Sequence, residues 1–240
     1  MLGLSHEVYA YLVVINSIGP HGTLENRSLP IDSLVTNLSM LGEYSTFGAA
    51  LVGVHGLFEI IPLISMLFTQ RLLEGADASE ASLATYGDLY SRIVHWHFDE
   101  SQAPQGNYVS HCALVGEVYR DCLMVYLEAA MAGVLVDSAA FALKMQPFVN
   151  TGRLNMLELV TSPLVSVLLL PATIFGSCLV EEAHRLELVK FVRDGKFQMN
   201  HCFRVCEWLE LLWSDPDPRM YGPYGLYLIM QNHNDSFCIV

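Results

Sequence analysis

Apolar residues recur along much of this chain at helical rather than strand spacing. Cys112, Gly116, Tyr119, Leu123, Tyr126 and Ala130 follow steps of four and three, with Glu117, Asp121 and Glu128 on the other side. That pattern predicts an amphipathic helix of several turns. Cys202, Val205, Cys206, Leu209 and Leu212 make a second stripe, and Leu83, Tyr86, Tyr90 and Ile93 a third. Leu57, Ile60, Ile61, Ile64 and Leu67 make a fourth, in which Pro62 must occupy a first turn or a kink.

The breaks between stripes are polar or rich in Gly and Pro. Gly19 to Pro30 reads as a loop and Asp99 to Asn107 as a longer linker. Gly75 to Ser79 reads as a helix stop and a new start, with Ser79 as N-cap. Pro216 and Pro218 end a helix at Ser214. No run of alternating polarity bounded by hairpin turns stands out; Tyr224 to Met230 comes nearest and is left unassigned. The expected fold is all-α, a single domain over residues 1–240 built as a multi-helix bundle of mostly antiparallel helices.

Leu159 to Val180 contains no charge and is long enough to cross a bilayer. Pro163 and Pro171 interrupt it, and it lacks basic flanks and aromatic belts. It reads as two buried helical pieces separated by Pro171, and no membrane is expected.

Composition sharpens this picture. Of 240 residues, 52% are hydrophobic and 15% charged, so there is much to bury and little charge to cover the surface. An apolar pocket or interface is therefore expected. The net charge of -13, with 12 Lys and Arg in all and no basic run, argues against direct nucleic-acid contact. Six cysteines scattered through apolar stretches suggest reduced thiols and an intracellular setting, cytoplasmic or nuclear. No secretory signal is evident at the N-terminus.

Three ordered stretches resemble one family. They are GLFEIIPLISMLFTQRLLEGA (Gly56 to Ala76), leading to His95-Trp96-His97; the helix with Glu117 to Arg120, Tyr126 and Leu127; and PLVSVLLLPATIFGSCLVEEAHR (Pro163 to Arg185), followed by Glu207 to Leu209 and Leu212-Trp213. Their order is similar to the fungal-specific transcription factor domain, the C-terminal regulatory region of fungal zinc binuclear cluster transcription factors. The resemblance covers residues 56–213. The paired cysteines and basic residues of that family's DNA-binding cluster are absent here. The opening methionine favours a free-standing relative over an excised piece. The resemblance implies a helical scaffold that binds a small hydrophobic molecule or a partner protein, with a homodimer as an accompanying option.

Candidate chemistry is sparse. His95, His97, Asp99 and Glu100 could be metal ligands, but neighbours two apart on a helix point apart, and a helix end explains them. His201, Cys202 and Cys206 have loose metal-like spacing, yet the cysteines lie on the apolar stripe. No metal and no cofactor is expected. Glu181, Glu182, His184, Arg185 and Glu187 form the densest polar cluster. It reads as a solvated helix face or as the rim of a pocket roofed by Phe175 and Cys178. Tyr119 and Tyr126 add buried phenols that a ligand could engage. The expected ligand-binding set is thus Tyr119, Tyr126, Phe175 and Cys178. The alternative is a stand-alone cofactor-independent enzyme, a cyclase or isomerase of fungal secondary metabolism. Its acid and base would come from His111, Glu117, Tyr119, Glu181 and His184.

Overall fold

A computed structural model describes residues 2–16, 38, 51–100, 109–135, 138–194 and 200–233. Their helices are α1 (Leu2–Asn16), α2 (His55–Phe58), α3 (Ile60–Glu74), α4 (Glu80–Val94), α5 (Val109–Ala132), α6 (Ser138–Glu158), α7 (Leu169–Ser177), α8 (Glu182–Asp194), α9 (Asn200–Ser214) and α10 (Gly222–Asn232). Short 3-10 turns cover Gly133–Leu135 and Pro163–Leu168. The described residues include no strand, so the fold is all-α as the periodicity predicts.

The boundaries have local causes. Gly75, at φ 73°, ends α3 in a conformation that costs glycine least. Ser79 then caps α4, its hydroxyl accepting the Ser82 amide at 3.1 Å. Pro62 sits in the first turn of α3, where its missing N–H is no loss. Arg71 binds the two helix ends together: Nε donates to the Met131 carbonyl near the end of α5, and Nη2 to Gly75.

Helix α5 is the centre of the molecule. It packs on α2, α3, α4, α6, α7 and α10. Its predicted stripe is buried throughout, but so are Val115, Val118, Cys122, Met124, Val125 and Leu127 around it. Asp121, expected on a polar face, is buried as well. Glu117, Arg120 and Glu128 keep a narrow polar edge, so amphipathic patterning understates the burial of this helix.

Two further expectations need correction, and the stretch left unassigned finds its place. On α4 the inward face is Ser82, Tyr86, Leu89 and Ile93; Leu83 and Tyr90 point to solvent. Pro171 does not separate two helical pieces. The change from 3-10 to α-helix falls at Leu168 and Leu169, and Pro171 lies in the first turn of α7. Tyr224 to Met230 belongs to α10, opened by Pro223. The loops at residues 19–30 and 101–107 lie outside the described residues.

Every residue of α7 is buried. Its polar side chains are satisfied by the helix itself: Thr173 donates to the Leu169 carbonyl and Ser177 to that of Ile174. Among the described residues, one helical run, His55–Glu74, is apolar and long enough to cross a membrane; Pro163–Ser177 is shorter. Leu57, Phe58, Ile60, Ile61, Ile64, Leu67 and Phe68 of that run are buried in the core, as is its cation Arg71.

Candidate functional site

Two polar arrangements and one aromatic cluster surround the two core helices. The first arrangement closes the C-terminal end of α7. A buried helix end leaves carbonyls that need donors. Trp213 Nε1 donates to the Gly176 carbonyl at 2.9 Å, and the Tyr221 hydroxyl to that of Cys178 at 2.8 Å. Gln146 reaches the same Cys178 carbonyl at 3.3 Å, and Arg185 Nε donates to Leu179 at 2.9 Å. The Arg185 guanidinium also lies over the Trp213 ring, 5.2 Å from its centroid. Side chains from α6, α8, α9 and the N-cap of α10 thus lock this end. Burial pushes the Tyr221 phenol up and draws Arg185 down.

The aromatic cluster lies between α3, α5 and α10. Phe68 meets Tyr126 edge-on at 6.3 Å, Tyr224 at 6.5 Å and Tyr227 at 5.9 Å. Tyr224 and Tyr227 stack at 6.1 Å. Burial pushes the Tyr126 phenol up to about 12, opposed by the neighbouring Ser65 hydroxyl. No hydrogen bond of normal geometry satisfies the Tyr126 oxygen. The cluster thus gathers four aromatic rings around one buried hydroxyl that lacks a hydrogen bond of normal geometry.

The second polar arrangement joins α1 to α2. Glu7 is fully buried, accepts the Leu51 amide at 3.4 Å and stands 3.6 Å from His55 Nε2. The intervening turn holds Val52 at φ 46°, uncommon for a β-branched residue.

The sequence-predicted residues are distributed over several places. Tyr119 donates to the Val167 carbonyl at 2.5 Å, and its ring packs 4.8 Å from that of Phe58. Burial holds its phenol well above the ordinary range. His111 pairs with the Ser162 hydroxyl at 3.1 Å. Glu117 pairs with Arg120, one turn on. Glu181 meets His184 at 3.5 Å on an open face. The five acid-base candidates thus lie in four separate settings. Phe175 is buried with its ring tip against Gly152, and burial pushes the Cys178 thiol up to about 12. Tyr126 alone of the four expected ligand residues belongs to the aromatic cluster.

His95 caps α4, its Nδ1 on the Ser91 carbonyl at 2.8 Å. Trp96 between the two histidines is the anchor: it packs against Gly56 and Gly116. Cys206 is buried in α9, and the side chains of His201 and Cys202 lie outside the described residues. Among the described residues no group of three His, Cys, Asp or Glu is placed to hold a metal ion.

Sequence reading gave no role to Glu7, His55, Arg71, Phe68 or Tyr227. Arg71 had a legible signal, since a lone cation inside an apolar helix needs partners. The aromatic cluster had none, because its members come from three distant segments. Comparison with protein families, with curated proteins and with solved structures finds no match for this chain.

Proposed function

We propose that this chain is a helical module that binds a small hydrophobic molecule, and that the ligand engages the aromatic cluster of Phe68, Tyr126, Tyr224 and Tyr227. The observation that carries the reading is the buried Tyr126 hydroxyl, which has the Ser65 hydroxyl beside it but no hydrogen bond of normal geometry. Leaving such a group unpaired costs about 1–3 kcal/mol, which a ligand acceptor would recover. The ligand class is thus a largely apolar molecule carrying one carbonyl, ether or hydroxyl oxygen. The resemblance to the fungal regulatory domain adds to the reading, as does a net charge that repels nucleic acid. The module works through its ligand and its partners, without DNA contact of its own. The enzyme alternative gains no specific support from the geometry.

The test is a thermal-shift panel of sterols, terpenoids and polyketides on the full chain. A binder at a hundred times its Kd stabilises the protein by about 2.7 kcal/mol. The expected result is a Tm rise that the Tyr126→Phe variant loses or reduces. A flat response across the panel, or an undiminished response in the variant, would overturn the proposal.

A further inference from the structure

Helix α3 packs on α2, α4 and α5, and α10 packs on α5, α7 and α9. The two share α5 as a floor. Above that floor they meet through aromatic side chains: Phe68 from α3 against Tyr224 and Tyr227 from α10, with Tyr126 of α5 beneath. Side chains that bridge two helices can move without moving either backbone.

The rings are in contact. Phe68 and Tyr227 lie 5.9 Å apart, and Tyr224 stacks on Tyr227 at 6.1 Å. Aromatic pairs at these separations leave no layer between them. A ligand entering between α3 and α10 therefore takes the place of a ring.

Burial decides which ring yields. Phe68 and Tyr224 are each 7% exposed and Tyr126 is 1% exposed. Tyr227 is only half-buried, one turn beyond Tyr224 and next to the exposed end of α10 at Gln231 and Asn232. Displacing any of the other three would tear close-packed core apart. Tyr227 holds its place by contacts on its inner side, and its outer side already faces water. Turning it out would bare the Phe68 and Tyr224 rings, and Phe68 meets Tyr126 edge-on at 6.3 Å.

Resting on the ligand reading given above, we infer that the Tyr227 ring is the plug of this site. In the free protein it fills the place that the apolar body of the ligand takes, and it turns toward solvent to admit it. Affinity is then limited by the fraction of molecules with the ring displaced. A ring that instead forms a wall of the site would add its own contact to the bound ligand. The two roles give opposite signs when the ring is removed.

Stopped-flow mixing of the full chain with prodan, a small naphthalene dye carrying one ketone oxygen, reads both rate constants. Tyr227→Ala should associate about tenfold faster and bind tighter by a similar factor, because no ring has to be displaced first. Tyr227→Leu, a milder change to the folded state, should move both quantities the same way. Tyr227→Phe keeps the ring and should match the wild type. Tyr126→Phe should weaken binding with or without the Tyr227 ring. Weaker or unchanged binding in Tyr227→Ala and Tyr227→Leu, with Tyr126→Phe still harmful, would overturn the plug alone. Indifference to Tyr126→Phe, or no binding by any of these proteins, would remove the ligand reading and the plug with it.

Discussion

Two buried tyrosines on one helix have opposite hydrogen-bonding states, and that difference can be measured. Tyr119 has its donor engaged by the Val167 carbonyl, whereas the Tyr126 hydroxyl is left without a bond of normal geometry. Tyr119→Phe should therefore cost about 1 kcal/mol, the net worth of one buried bond, with the Val167 carbonyl left short of a donor. Tyr126→Phe should cost nothing or stabilise the ligand-free protein by up to about 1 kcal/mol. Paired denaturant melts would read the contrast, and equal destabilisation by both would refute it. Asp121 gives a second residue-scale prediction. Burial, partly countered by Arg120, raises its carboxyl from 3.8 to about 6. The folded state then binds more protons than the unfolded state between those values, so stability falls as pH rises from about 4 through about 6 and stays reduced above. Asp121→Asn should remove that decline and add about 1–2 kcal/mol at pH 7. The check is the slope of unfolding free energy against pH, which should flatten in the variant.

At the scale of elements, close packing depends on glycines that let an aromatic ring approach a helix. A Cβ on Gly152 of α6 would lie 2.2 Å from Phe175 of α7, and one on Gly116 of α5 would lie 2.3 Å from Trp96. Gly152→Ala should cost about 1–3 kcal/mol as overpacking, despite the better helix propensity of alanine. Adding Phe175→Leu should recover part of the loss, and a purely additive double variant would show that the two do not touch. These contacts mark the limit of what the chain discloses when read alone. Helix type, the Ser79 cap, the Gly75 stop and the α5 stripe all follow from local chemistry, and each could be placed on the sequence. Which face of α4 turns inward could not. Leu83 and Tyr90 are as apolar as Leu89 and Ile93, so the choice belongs to the tertiary packing. The candidate site was legible only at Tyr126, since Phe68, Tyr224 and Tyr227 become its neighbours through folding. Glu7 and His55 likewise meet only because the Val52 turn brings distant segments together.

At the scale of the whole molecule, two buried helices organise the packing: α5 gathers the N-terminal half, and α7 gathers α8, α9 and α10. They touch each other directly, and α6 and α10 pack on both. Shared neighbours couple the two centres, so a single cooperative unit is the reading this architecture favours. The native thiols can test it without mutation. Cys112 and Cys122 lie on α5, Cys178 at the end of α7 and Cys206 on α9, and all four are buried. Burial holds the Cys122 and Cys178 thiols well above their ordinary value, which suppresses the thiolate and its reactivity in the folded state. Neither can react until its surroundings open. Pulse labelling in rising denaturant, read by peptide mass, then reports the opening free energy at each site. If the chain unfolds as one unit, Cys122 and Cys178 should return the same value and the same dependence on denaturant, matching the global melt. An α7 region that opened alone would expose Cys178 and Cys206 well before Cys122, and the single-domain reading would give way to two. The order of labelling therefore decides whether ligand occupancy at the α3, α5 and α10 cluster can be felt as far away as α9.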